Sequence, residues 1–404
     1  MNPHLHLIDS KRKFIFLILI LGGVTAIGPL TIDMYLPAFS AIARGFNAPD
    51  NLVQLSLTTY FAGLAVSQLI YGPIIDRFGK KLPLFFGLCL FVITSIACCF
   101  VTSIEQLIVM RFFQAMGACI GVVVPRAIVR DIFSPQESAR IYSHLMLVMG
   151  LAPILAPMIG SFVLVIFGWQ AIFALLASFG VICLVVSYFT FPQTKKPDRD
   201  EKISNALKKY WGILHDRTFV ICALSGSFVM ASLFTYITAS PFAYLEFFGL
   251  SSKRYSLIFA LNSLGFIMMS QINAYFLKKY SIEKVLRFAL LIPVVSGSVL
   301  IFVGHYHPNF WLFTVTFFVF LGSVGMIAPN TSALALSNQS KHSGSASALL
   351  GTIQFTFATL MSFLISRLHD GGISSMTIVI GVCGISSCVV YRLFHKPYLN
   401  QGHL

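Results

Sequence analysis

Near the end of the first apolar run, Gly28-Pro-Leu-Thr-Ile-Asp33-Met-Tyr35-Leu36-Pro37 places an aspartate where almost nothing else is charged. An ionised carboxylate in the middle of a bilayer costs several kcal/mol. One placed there should face protein or water and serve a purpose. Arg111, about two turns beyond Glu105 in the fourth apolar run, is its natural partner at a compatible depth. Burial favours the neutral acid and a nearby guanidinium favours the carboxylate. An acid alternately near to and far from Arg111 would therefore bind and release a proton. Two bland readings stay open: Asp33 caps the first run at the membrane surface, or the two charges form a fixed strut. An extension of the first run past Pro37 towards Arg44 would move Asp33 deeper.

The elements that must position these charges follow from composition. The 404 residues are 57% hydrophobic and 10% charged, with 39 phenylalanines, against roughly 25% charged in an average soluble domain. Apolar runs long enough to span a bilayer recur along the whole chain. The fold class is therefore an all-α membrane protein. Twelve spans are expected, at about 14–36, 51–73, 82–102, 105–128, 141–166, 170–191, 217–241, 255–277, 284–304, 309–330, 345–367 and 373–394. Lys11, Arg12 and Lys13 precede the first run as in a signal peptide, but the run is too long and lacks a cleavage site, so it reads as an uncleaved span.

One connection is long. Residues 192–216 are polar, charged and begin with a proline. They divide the chain into an N-terminal six-helix bundle (1–191), a cytoplasmic linker (192–216) and a C-terminal six-helix bundle (217–404). With alternating sidedness, 23 Lys and Arg fall on one face and four on the other (Arg44, Lys253, Arg254, Arg367), with Arg111 inside a span. That bias places both termini in the cytoplasm and turns the net charge of +14 into a topology signal, with no nucleic acid implied. Two pseudo-repeated halves around a central cavity would suit this pattern.

Loop 2–3 reads Gly72-Pro-Ile-Ile-Asp76-Arg77-Phe-Gly79-Lys80-Lys81. Gly72 would allow close helix approach, Asp76 accept hydrogen bonds, Gly79 turn the chain, and the three cations hold the inner face. The fourth span carries Arg111-Phe-Phe-Gln114-Ala-Met-Gly117, and the fifth carries Gly150-Leu-Ala-Pro153-Ile-Leu-Ala-Pro157-Met-Ile-Gly160.

These stretches resemble motifs of the major facilitator superfamily. Gly72–Lys81 looks like its loop 2–3 signature, which implies a conformational switch. Arg111–Gly117 is similar to the span-four motif, with Ala115 where glycine is usual. Gly150–Gly160 resembles the span-five motif of antiporters, with Ala-Pro in place of Gly-Pro. The stretch ending at Asp33–Pro37 resembles the drug:proton antiporters, and among them the Bcr/CflA bicyclomycin- and chloramphenicol-resistance exporters. The resemblance implies the major facilitator fold, alternating access, proton coupling through Asp33 and Arg111, and multidrug efflux across a bacterial inner membrane.

Other polar residues inside spans hydrogen-bond either a solute or a neighbouring helix, the second being commoner. Tyr35, Tyr60, Gln68, Gln114, Tyr236, Asn262, Asn330 and Gln354 are candidates for the substrate cavity. The pairs His4/His6 and His305/His307 have no further ligands at metal spacing, and the eight cysteines lie in apolar runs without a Cys-x-x-Cys, so no metal site is expected. No Walker A, dinucleotide or nucleophile-elbow motif is present. The chain is read as a transporter, not an enzyme. It would use no cofactor, be driven by the proton gradient, act as a monomer in the lipid bilayer, and have protons and a small molecule as partners. A metabolite carrier for a nucleoside, amino acid or siderophore is the alternative; a non-transporting sensor or scaffold is the third reading.

Overall fold

The computed structural model describes residues 11–132, 135–190, 203–306, 308–339, 343–368 and 372–394. Within these, the side chains of 11–15, 76, 126, 130–132, 135–150, 203–208, 343 and 394 lie outside the description. His4, His6, His307, residues 191–202 of the linker, and the side chains of Asp76, Arg126, Arg130 and Asp131 therefore fall outside the described set.

Every described element is helical, as uninterrupted apolar sequence in a bilayer demands: a helix satisfies its backbone internally. In chain order they are α1 (Lys11–Asp33), a 3-10 turn (Leu36–Ala38), α2 (Phe39–Gly45), α3 (Asp50–Phe78), α4 (Lys81–Cys99), α5 (Ile104–Ile132), α6 (Pro135–Phe167) and α7 (Gln170–Thr190). Then come α8 (Ile203–Leu214), α9 (Arg217–Pro241), a π-helical segment (Phe242–Phe247), α10 (Ser252–Phe276), α11 (Ile282–Ala289), α12 (Leu291–Tyr306), α13 (Phe310–Leu336), α14 (Ser343–Arg367) and α15 (Ser374–Phe394). Among the described residues, eleven candidate spans are long and apolar enough to cross a membrane, and Leu151–Phe167 of α6 is a shorter apolar helix. The expected span at 284–304 is two helices, α11 and α12.

The first span is not one helix. Pro37 has no N–H to give the carbonyl of Asp33, and α1 ends there. The 3-10 turn follows, and α2 carries the span on to Gly45. The candidate span runs from Phe16 to Gly45, so Asp33 lies well inside it and not at its end. The helical run thus continues past Pro37 towards Arg44.

Residues group into two compact units. The first is Met1–Leu207 with Ile237–Ser263; the second is Lys208–Tyr236 with Leu264–Leu404. Thus the adjoining ends of α9 and α10, with the π segment between them, group with the first six spans. In the first unit α1 packs on α5, α6 and α7, while α3 and α4 flank α5. Glycine permits one of these crossings: a Cβ on Gly160 would run into the carbonyl of Met34, so α6 meets the broken part of the first span backbone to backbone. In the second unit α12 packs on α13 and α15.

Candidate functional site

Arg111 is the largest fully buried side chain among the described residues. A cation in such a place must be compensated, and the sequence nominates Asp33. In this structure no ion pair joins the two. The guanidinium lies instead in an aromatic box, its central carbon 4.4 Å from the Tyr60 ring centroid, 4.6 Å from Tyr35 and 5.8 Å from Phe173. Nη1 donates to Gln114 Oε1 at 2.7 Å and Nη2 to the Thr31 carbonyl at 3.2 Å. The Nε–H has no acceptor among the described residues. Desolvated cation–π contacts contribute about 2 kcal/mol each and a hydrogen bond from a charged group about 1.5–3 kcal/mol. Together these account for a buried charge that no carboxylate neutralises.

The box is itself braced. Gln114 Nε2 donates to Ser95 Oγ at 2.8 Å, and Ser95 donates to the Phe91 carbonyl at 2.6 Å. Ser56 gives its proton to the Val53 carbonyl at 2.6 Å, so the Tyr35 hydroxyl is the donor in its 2.8 Å bond to Ser56. Phe173 packs on Tyr35 at 5.6 Å and on Trp169 at 6.2 Å. Five spans contribute: α3, α4, α5 and α7, with the broken first span supplying Thr31 and Tyr35.

Asp33 is 4% exposed, two residues from the carbonyl that Arg111 grips. Its carboxylate makes no hydrogen bond to the described residues, and it lies within electrostatic range of the Tyr60 and Tyr255 phenols. Asp33 is the last residue before the first span breaks into a 3-10 turn, and interrupted helices are where transporter sites form. The structure therefore brings Asp33, Arg111, Tyr35, Tyr60 and Gln114 into one region, but with the cation caged by rings and the acid joined to it by no ion pair.

The loop 2–3 residues form a tight connection. Gly72 lies within α3. Gly79 closes the helix at φ +78°, a conformation that glycine adopts without strain. Lys80 donates to the Ala127 carbonyl at 2.8 Å near the C-terminal end of α5, where a cation suits the helix dipole. Arg77 lies over the Phe78 ring and Lys81 over the Tyr188 ring, at 5.3 and 5.0 Å. Pro153 and Pro157 lie inside α6 four residues apart, with Gly160 at the crossing with Met34. Gly150 lies in the same helix, in the part whose side chains are not described.

The remaining cavity candidates do not join the box. Gln68 is buried in α3, and Asn262 in the part of α10 that belongs to the first unit. Tyr236, Asn330 and Gln354 belong to the second unit. There Asn330 exchanges hydrogen bonds with Asn273 across α13 and α10, at 2.7 and 3.4 Å. Tyr236 packs on Phe317 at 5.1 Å, and Phe317 on Phe313 at 4.7 Å. Sequence reasoning missed Thr31, Ser56, Ser95 and Phe173. The three small polar residues leave only the faint signal of hydroxyls in apolar runs, and Phe173 leaves none among 39 phenylalanines.

The comparisons agree with this architecture. The family model described as Major Facilitator Superfamily matches residues 21–362. The chain is 33% identical over 381 residues to an uncharacterized MFS-type transporter, YdgK, of Bacillus subtilis, covering 92% of this chain and 95% of the relative. It is 30% identical over 395 residues to a bicyclomycin resistance protein homolog of Haemophilus influenzae, covering 97% and 99%. It is also 28% identical over 376 residues to the multidrug resistance protein MdtL of Escherichia coli O157:H7, covering 93% of each. In fold it is similar to a D-xylose–proton symporter of known structure, with a TM-score of 0.76, 13% identity and 96% and 98% coverage. With a family model over most of its length, eleven candidate spans and full-length relatives that are transporters, the chain belongs to the major facilitator superfamily: it is a multi-pass transporter, not an enzyme.

Proposed function

We propose that this protein is a proton-coupled exporter of small amphipathic compounds, exchanging solute for protons by alternating access in a bacterial cytoplasmic membrane. The observation that carries this reading is Asp33. It is a buried acid at a break in the first span, in ion-pair contact with no cation among the described residues, two residues from the Thr31 carbonyl that the ring-boxed Arg111 holds. An acid relieved of a strut's duty is available to take and give a proton. The similarity to relatives named for bicyclomycin and multidrug resistance supports a drug-like solute and the outward direction.

In this reading twelve spans form two six-helix halves joined by the linker 192–216, with both termini in the cytoplasm and the loop 2–3 cluster and the span-five prolines as conformational devices. The protein acts as a monomer without cofactor. One titrating acid exchanges one proton per solute. A monovalent cation then leaves electroneutrally on the pH gradient alone, and a neutral compound also draws on the membrane potential, about 2.3 kcal/mol per charge per 100 mV.

The test is flux in proteoliposomes under an imposed pH gradient, with cationic and neutral antibiotics and Asp33→Asn alongside. Movement of several chemically distant compounds, lost in Asp33→Asn, is the expected result. No movement of any of them by folded, inserted protein would overturn the exporter reading and favour a selective metabolite carrier.

A further inference from the structure

Two hydrogen bonds tie the start of α10 to the first six spans. Ser256, almost wholly buried, donates to the Pro157 carbonyl of α6 at 3.0 Å or to its own helix at the Ser252 carbonyl, 2.9 Å away. Ser252, one turn earlier on the same face, donates to the Pro37 carbonyl in the 3-10 turn at 3.4 Å. Beside them α2 packs against the π segment Phe242–Phe247. Between the two serines Tyr255 is fully buried, bonded to Ser240 at 3.0 Å and packed between the Tyr244 and Phe259 rings. Its phenol is the group within electrostatic range of Asp33.

The residue types are informative. Ser256, one turn into α10, can return its proton to the carbonyl four residues back. Breaking its bond across the interface therefore leaves no orphaned donor, whereas breaking an ion pair or a carboxamide pair would. Ser256 shows both acceptors at nearly equal distance, which is the signature of a bond built to be exchanged. Both acceptors across the interface are proline carbonyls at backbone irregularities of the first unit, the turn at Pro37 and the Pro153/Pro157 stretch of α6. All of these groups lie at the end of the spans away from the basic loops.

We propose that Ser252 and Ser256 form a reversible latch that holds the outer ends of α9 and α10 against the first and fifth spans, and that it must release before the Asp33 site opens to the outside. The proposal rests on the transporter reading for its role but not for its test. Hydrogen–deuterium exchange of the full-length protein in lipid nanodiscs reads the latch without any solute. The Ser252→Ala/Ser256→Ala double variant should exchange several-fold faster than wild type in residues 35–46 and 240–263, with no change in residues 70–85 at the opposite end. Ser256→Thr, which keeps the hydroxyl, should return the wild-type rate. Wild-type exchange in both outer segments overturns the latch, and so does equal acceleration along the whole chain, which would mean general loss of stability. Faster outer exchange in a protein whose wild type moves no drug would sink the exporter reading and leave the latch standing.

Discussion

The two compact units solve the problem of buried polarity in different ways. The first unit holds a full charge, Arg111, in a box of Tyr35, Tyr60 and Phe173 braced by Gln114 and Ser95, with the acid Asp33 two residues from the carbonyl that Arg111 grips. The second holds a neutral pair, Asn273 and Asn330, whose carboxamides satisfy each other, and an aromatic stack of Tyr236, Phe317 and Phe313. A neutral amide pair fixes the register of two helices and cannot titrate. A buried acid without a cation partner can respond to protons. Under the proposed function, proton chemistry belongs to the first unit and helix registration to these residues of the second.

The comparison can be broken at Arg111. Lysine keeps the charge but is a point donor that cannot stack flat between two rings while bonding Gln114 and the Thr31 carbonyl. Arg111→Lys should therefore lose about 3–5 kcal/mol of stability, the cost of an inadequately compensated buried charge. It should unfold many degrees earlier in a detergent melt. A wild-type melt for Arg111→Lys would show that charge alone matters and that the aromatic box is incidental.

A smaller effect sharpens the other side. Asn273→Ala, Asn330→Ala and the double variant form a thermodynamic cycle with an expected coupling of about 0.6–1.7 kcal/mol, the range for hydrogen bonds between membrane helices. None of the three should change how many protons move per solute. A changed stoichiometry in any of them would carry the proton chemistry into the second unit. The smallest effect is expected from Tyr60→Phe. The ring over Arg111 is kept, and the lost hydroxyl, which faces the Thr31 side chain, has no well-formed hydrogen bond among the described residues. Stability should stay within about 0.5 kcal/mol of wild type. A change in drug affinity with unchanged stability would identify that hydroxyl as a solute contact.

Much of this was legible before the structure. Hydropathy located the spans because a bilayer imposes length and apolarity directly. The observed helices begin and end within a few residues of the expected ones, except that the first span runs on through α2 to Gly45, α6 and α13 are longer, one span is divided into α11 and α12, and α8 lies within the expected linker. Asp33 and Arg111 stood out because charge is scarce in spans. Their relation did not. A carboxylate is the obvious partner for an arginine on paper, whereas aromatic partners are hidden among 39 phenylalanines and 14 tyrosines. The Thr31 contact is made by a backbone carbonyl, which every residue has, so no sequence pattern marks it. Ser252 and Ser256 look like ordinary helix-start serines, and only the spatial approach of Pro37 and Pro157 gives them a role.

The central claim, that Asp33 carries the coupled proton, is tested most directly by following solute-driven proton movement. Purified protein is placed in liposomes containing a pH dye, and a transported drug is added with no imposed gradient. Wild type should move protons opposite to the drug. Asp33→Asn should exchange labelled for unlabelled drug across the membrane yet move no protons. Proton movement by Asp33→Asn at the wild-type ratio would contradict the account and place the proton on another group.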